Sequence, residues 1–324
     1  MSVQKDQIKI AVAQVQAKSG DSSPEMLDDA LSYIEQAGNA GADLLLFPEM
    51  YPGPSVHKDR FEVVEPLCEA ARRAGIAVAA GTSVPVEGKP GAYYVSQVVI
   101  NAHGEVLGFY HRTHPESAVY KAMYTSGGLV DFEYVAGDDF PVFDLGWGKV
   151  GVSICSEMFV PEVARIMALK GAEILLMPVG WFLDDFGWKD VWQTLVRARA
   201  IENIMYTASC QNLFDRELME HYSGRKIPAG DSKGLNRGLG IVAGPEGVLG
   251  VMPNEGILYA DLDMKRLRAM RKTPEFPDGL EIPAPFGSVP GVLGLRRPEL
   301  TREPMLKEAH DLPDLNWYRS QQST

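Results

Sequence analysis

Apolar positions along the chain follow two spacings, the twofold repeat of a β-strand and the 3.6-residue repeat of a helix. Residues 8–14, IKIAVAQ, alternate as a strand, and the next segment reads as a helix that opens with a Ser cap and Pro24 and closes at Gly41. A continuous apolar run, Leu44 to Phe47, predicts a buried strand leaving at Pro48-Glu49. Phe61 to Ala74 predicts a second helix, stopped by Gly75. Three strands follow at 76–84, 93–101 and 105–112, with a hairpin turn at Asn101-Ala102-His103-Gly104. A polar loop from Thr113 to Gly137 leads into another hairpin and a buried strand, Val150 to Ile154, which runs into Cys155. Beyond it, Pro161 suits a first helical turn, and Val163, Ile166, Met167 and Leu169 fall at helical spacing. A buried strand at 171–181 and a helix at 188–203 come next, the helix with Val191, Leu195, Ala198 and Ile201 on one face. A strand at 205–212, three strands around the turns Pro245-Glu246-Gly247 and Asn254-Glu255-Gly256, and the start of a helix near Leu262 complete the periodic part.

Two stretches repeat. GADLLLFP at 41–48 and GAEILLMP at 171–178 lie 130 residues apart, and both follow an amphipathic helix. The pattern predicts two similar halves related by a pseudo-twofold axis. The copies differ just beyond the proline, where one carries Glu49 and the other Val179. Helices alternating with buried strands predict a layered α/β fold, and the hairpins predict a mixed sheet. Two such sheets face to face, with helices outside, would use every element. Residues 1–272 read as one domain without an internal linker. From Thr273 to Thr324 the chain is proline-rich and aperiodic, and with Phe286, Leu293 and Trp317 it reads as an extended arm packed on its own or a neighbouring subunit, with plain disorder the alternative for its last dozen residues.

The charge balance excludes several classes of partner. A net charge of −12 argues against nucleic acid and anionic membrane surfaces. Cys68, Cys155 and Cys210 have neither metal-site spacing nor disulfide-framework density, so no metal is expected and a reducing cytoplasm suits them. Lys, Asp and Gln interrupt the first sixteen residues, which are not expected to act as a signal peptide. No apolar run reaches the about 18 residues of a membrane span.

Three polar residues follow apolar strands: Glu49, Arg112 and Cys155. Strand ends are where layered α/β folds bind ligands. A carboxylate, a cation and a thiol gathered there make an acyl-transfer site: the thiolate attacks a carbonyl or nitrile carbon, the carboxylate moves protons, and the cation steadies the oxyanion. Cys155 on a strand-to-helix turn is expected beside unpaired N–H groups and the positive end of a helix dipole, which favour thiolate. Read singly, Glu49 could equally cap a helix and Arg112 could be a surface charge.

Together these residues resemble the nitrilase superfamily of carbon–nitrogen hydrolases over roughly residues 6–270. The likeness rests on FPE at 47–49, YHRTH at 110–114, the block 148–178, RARAIEN at 197–203 and GPEG at 244–247. It implies a four-layer αββα sandwich, pairing of subunits into homodimers or a higher homo-oligomer, no cofactor, and a Glu–Lys–Cys catalytic set. Glu49 falls on the general base and Cys155 on the nucleophile. The Lys slot holds Arg112, which can stabilise an oxyanion but cannot donate a proton at neutral pH. Lys121, nine residues further on, is the alternative ammonium. The family's second glutamate aligns with DFEYVAG; strict offset reaches Val130, beside Asp131 and Glu133, and Glu133 is the candidate. Nitrilases proper usually carry Trp after the cysteine. Ser156 here leans towards amide or N-carbamoyl substrates, as does the long Thr113–Gly137 loop, which looks like the carbamoylase type. The Ser156 N–H is the expected oxyanion donor, and Trp181 an expected pocket wall. Cys68 and Cys210 read as structural thiols. The resemblance thus implies a thiol hydrolase of small amides. Nitrile hydrolysis, acyl transfer to another amine, or a degenerate non-catalytic member with Arg112 in the Lys slot are the alternatives.

Overall fold

The computed structural model describes residues 4–16, 24–54, 61–115, 133–180, 188–213, 220, 226, 239–272 and 296–306. The first half builds β1 (Gln7–Gln16), α1 (Pro24–Asn39), β2 (Leu44–Leu46), α2 (Val64–Ala74), β3 (Ala77–Pro85), β4 (Ala92–Ile100), β5 (Val106–His111) and a short β6 (Glu133–Tyr134). The second builds β7 (Phe143–Asp144), β8 (Lys149–Val152), a 3-10 turn (Cys155–Phe159), α3 (Pro161–Leu169), β9 (Ile174–Val179), α4 (Trp188–Asn203), β10 (Tyr206–Leu213), β11 (Gly240–Gly244), β12 (Gly247–Met252), β13 (Gly256–Asp263) and α5 (Met264–Lys272). These agree closely with the expected elements because each is encoded within its own ten to sixteen residues.

Strands run in the order β5-β4-β3-β2-β1-β10-β9-β8-β7, with β13 on β1 and β11–β12 beside β10. The two halves join where β1 meets β10 in parallel, at Val15↔Asn212 and Gln16↔Leu213, and where β13 runs antiparallel along β1, from Gln7↔Asp263 to Gln14↔Gly256. The strand period of two sorts side chains into layers. Ile8, Ile10 and Val12 of β1, with Leu44 and Leu46 of β2, share a core with Val150, Val152, Ile174 and Leu176 of the other sheet. Ala11, Ala13, Val15, Leu45 and Phe47 face the opposite way, against Ile34 of α1 and Leu67 of α2. The second sheet is covered in turn by Val163 and Met167 of α3 and by Trp192, Val196 and Ala200 of α4. This is the expected αββα layering, the sheets wrapping into a nearly closed barrel with helices around it. Each fully buried Leu or Val contributes about 1.5–3 kcal/mol from area removed from water.

The repeat is visible atom by atom. Asp43 N donates to Lys9 O at 2.7 Å and Glu173 N to Lys149 O at 2.8 Å; Ala42 N reaches Ala37 O at 3.0 Å and Ala172 N reaches Met167 O at 2.9 Å. The acid of each copy also accepts from the strand before it: Lys9 N to Asp43 at 2.8 Å, Lys149 N to Glu173 at 3.4 Å.

Three local expectations are corrected. On α4 the buried face is Trp192, Val196, Arg199, Ala200 and Asn203, whereas Val191 and Ile201 are exposed. On α3 Leu169 is exposed, and Ala164 and Ala168 share the buried face with Val163 and Met167. Both helices carry more apolar residues than one core can cover, so periodicity could not say which stripe turns inward. In the expected arm, Pro298–Leu306 form a helix, α6, which Pro298 is suited to open. Its exposed Leu300 belongs to no core-facing stripe, which hid it from the pattern. Phe286, Leu293 and Trp317 lie outside the described residues.

Candidate active site

Glu49 and Arg112 are carried to one place by the ends of β2 and β5. Gln97 of β4 donates to Phe47 O at 3.0 Å, and Asn212 at the end of β10 donates to Glu49 O at 2.9 Å, so side chains from two other strands hold the Phe47–Glu49 backbone. The chain then turns tightly over Gly81, where a Cβ would meet Met50 N at 2.3 Å. The Glu49 side chain is 2% exposed and Arg112 is fully buried, which excludes the cap and surface-charge readings. Arg112 Nη1 donates to Glu49 Oε1 at 3.0 Å. Gly180 N, just past β9, donates to Glu49 Oε2 at 2.8 Å. Arg112 Nη2 donates to Ser156 Oγ at 2.6 Å. One guanidinium therefore joins the carboxylate to the residue next to Cys155. With both charges out of water, losing either partner would strand the other, a cost of about 3–5 kcal/mol.

Cys155 opens the 3-10 turn rather than α3, which begins six residues later at Pro161. The expected helix-dipole contribution is thereby corrected: the helix terminus is a turn and a half away, beyond the reach of that effect. The turn has another distinction. Cys155 holds φ at 55°, in the left-handed region that a non-glycine residue occupies at a cost of about 1–3 kcal/mol. Such a conformation persists only where neighbours enforce it. Arg199 of the RARAIEN segment ties down the same turn from α4, donating to Met158 O through Nε at 3.2 Å and Nη2 at 2.7 Å. Arg199 Nη1 is itself held by Glu202 at 2.8 Å.

Glu157, which the sequence reading did not single out, is fully buried in the same turn. It accepts from Ile154 N at 2.7 Å, Tyr110 OH at 2.8 Å and Thr113 N at 2.7 Å. Burial alone would raise its carboxyl, but hydrogen bonds from His114 and Thr113, the Arg112 charge and the Ile154 N–H outweigh it and hold the group below the ordinary carboxylate range. Burial and the Glu157 charge push the Tyr110 phenol well up, so it remains a donor. An acid two residues after a candidate nucleophile was the available signal.

The other expected residues fall differently. Glu133 is half exposed on β6 and paired with Lys89 at 2.7 Å, so the structure does not bring it to this set. Lys121 and Trp181 lie outside the described residues. Cys210 is fully buried and Cys68 nearly so; burial pushes both thiols up, with Glu65 and Glu62 adding to the effect at Cys68. Neither is a nucleophile in that state. Among the described residues no group of three or more His, Cys, Asp or Glu side chains is placed to hold a metal, and no helix is long and apolar enough to cross a membrane. A groove of about 660 Å³ lined by Leu31, Glu35, Asn39 and Arg73 lies on the outer layer between α1 and α2, apart from this chemistry.

A family model described as carbon-nitrogen hydrolase matches residues 9–272. The chain is similar to an N-carbamoylputrescine amidase of Solanum tuberosum, 27% identical over 81% of this chain and 89% of that protein. It is also similar to a citrullinase of Francisella tularensis, 33% identical over 60% of this chain and 71% of that one. Among solved structures, a carbon-nitrogen hydrolase from Helicobacter pylori superposes with a TM-score of 0.69 at 23% identity, covering 93% of this chain and 99% of that one. That likeness bears on the fold.

Proposed function

Because the chain belongs to the carbon–nitrogen hydrolase family, we propose that it cleaves a non-peptide C–N bond of a small amide or N-carbamoyl compound, with Cys155 as nucleophile and Glu49 as proton carrier. The observation that carries this reading is the double contact of Arg112, to the Glu49 carboxylate and to the Ser156 hydroxyl beside Cys155. Glu49 takes the thiol proton, and the sulfur attacks the carbonyl carbon. The oxyanion that forms is met by the Ser156 N–H and the fixed charge of Arg112. Glu49 returns the proton to the leaving ammonia or amine, and an acyl-thioester remains on Cys155. Water, deprotonated by Glu49, then releases the acid and restores the thiol. Arg112 keeps its proton throughout, so all proton traffic falls to Glu49. Ser156 in place of a Trp and the similarity to an N-carbamoylputrescine amidase support a carbonyl substrate over a nitrile.

The reading extends to assembly. Val191 and Ile201 of α4 and Leu169 of α3, with Phe159 of the turn, are 39–46% exposed on the outer helix layer. Such an apolar face supports pairing of two copies there, with residues 1–272 as the hydrolase domain and 273–324 as an arm on its own or the neighbouring subunit. Three free cysteines support a reducing cytoplasm.

The test is ammonia release by the purified protein across small amides, N-carbamoyl compounds and nitriles, with Cys155→Ala as control. Release that depends on Cys155 is expected, with amides or carbamoyl compounds preferred. Arg112→Lys should retain acylation and Arg112→Ala should lose it. Full activity in Arg112→Ala with total loss in Lys121→Ala would transfer the cation's role to Lys121.

A further inference from the structure

Glu157 has a pattern of contacts that a merely turn-stabilising acid does not need. Its Oε2 accepts from Ile154 N at 2.7 Å and Tyr110 OH at 2.8 Å; its Oε1 accepts from Thr113 N at 2.7 Å, Thr113 Oγ1 at 2.6 Å and His114 N at 3.1 Å. Only Ile154 belongs to its own segment, and Ile154 directly precedes Cys155. The other donors lie on either side of Arg112 in the chain, Tyr110 before it and Thr113 and His114 after it. One carboxylate therefore grips the residue ahead of the thiol and both flanks of the cation, across more than forty residues of sequence. From this bracketing we propose that Glu157 is a positioning residue, which holds the Arg112 guanidinium and the Cys155 thiol in fixed register. The proposal rests on the hydrolase reading above.

The chemistry of the group fits the task. An ionised carboxylate is acceptor-only and can satisfy donors on both oxygens. A glutamine in its place would turn an NH2 group towards either the Ile154 N–H or the Thr113 and His114 N–H groups. At least one buried donor would then lose its acceptor, and the negative charge facing Arg112 would be gone. An aspartate keeps the charge and the acceptors on a shorter stem. The contacts to Arg112 and Cys155 are indirect, so disturbing Glu157 should slow the chemical step more than it weakens substrate binding.

The experiment compares full-length wild type with Glu157→Gln, Glu157→Asp, Tyr110→Phe and Thr113→Val. Steady-state kinetics use a short aliphatic amide and an N-carbamoyl amine, and the alkylation rate of Cys155 by iodoacetamide and the Tm are measured alongside. In Glu157→Gln, kcat should fall about 100-fold while KM changes less than about threefold, with slower alkylation in a folded protein. Glu157→Asp should recover a large part of that loss. Unchanged kcat and alkylation in folded Glu157→Gln would overturn the proposal. So would an aspartate variant as poor as the glutamine one, with both losses following Tm. If Glu157→Gln does not fold, Tyr110→Phe and Thr113→Val decide, because each deletes one donor and spares the carboxylate. A kcat reduced about tenfold in either supports the register role, and wild-type kcat in both overturns it. Absence of turnover in the wild type would remove the hydrolase reading, while the alkylation rates would still decide whether Glu157 positions the thiol.

Discussion

The segments GADLLLFPEM and GAEILLMPVG occupy matching places in the two sheets and yet do opposite things at the site. Up to the proline they are interchangeable in kind: each buries its strand fully, and each uses its acid to accept from the strand before it. Past the proline one presents the Glu49 side chain, and the other presents a backbone N–H, that of Gly180, to the same carboxylate. Gly180 carries no Cβ where one would meet Glu49 Oε2 at 2.8 Å. The difference teaches that the pseudo-twofold supplies a frame and that function comes from breaking it. One half brings the acid, and the other brings a donor and the room for that acid.

The strongest way to break the comparison is to move the acid across it. Glu49→Val combined with Val179→Glu should abolish ammonia release, a drop of about 10⁴-fold or more, and should lower Tm. Val179 is fully buried, and Arg112 would lose the carboxylate that now pairs with it. Activity near wild type in the double variant would mean that the two strand ends are equivalent after all.

A milder change sharpens the comparison. Gly180→Ala should press the new methyl against the Glu49 carboxylate and lower kcat by about 10–100-fold, with little effect on Tm. An unaltered kcat would show that the carboxylate has slack on that side.

Below the proline the halves should behave alike. Asp43→Asn and Glu173→Gln should each cost about 1–2 kcal/mol in denaturant unfolding and leave kcat unchanged. Asp43 pairs with Lys5 at 2.5 Å and Glu173 with Arg268 at 2.6 Å, both on the side of the sandwich where the strands begin. A kcat effect from one variant and not the other would contradict the frame-and-function division.

The smallest expected effect is on pH dependence. Glu157 is held below its ordinary value of 4.5, so the unfolded chain binds that proton more readily than the fold does. Its contribution is present above pH 4.5 and is lost as pH falls through the lower folded value. His111, lowered from 6.5 by burial with Asp138 opposing, acts in the same direction at higher pH: its contribution is lost as pH falls below 6.5. Stability should therefore decline in acid in two stages, and Glu157→Gln should flatten the lower one. Equal slopes in the two proteins would refute that assignment.

How much was legible in advance follows from how far each feature reaches along the chain. Strand and helix limits, the repeat and the strand-end positions of Glu49, Arg112 and Cys155 were all visible, because each depends on a few neighbouring residues. The buried stripes of α3 and α4 were not. Trp192, Val196 and Ala200 compete there with an equally apolar set containing Val191 and Ile201, and only the facing sheet chooses. Glu133 was favoured as the second acid by local alignment and lies exposed, paired with Lys89, while besides Glu49 the buried acid that feels the Arg112 charge is Glu157.

By itself, then, the sequence determined the elements, their layering and the residue types at the strand ends, because hydrophobic spacing acts over one or two turns or a single strand. Only the tertiary structure decided that Arg112 pairs with Glu49 across 63 residues, that it reaches Ser156 across 44, and that Glu157 binds both flanks of that arginine. The first contact joins the ends of β2 and β5 within one half and the others cross between the halves, so none forms until segments distant in sequence are brought together. Their strength comes from exclusion of water, which no local pattern encodes.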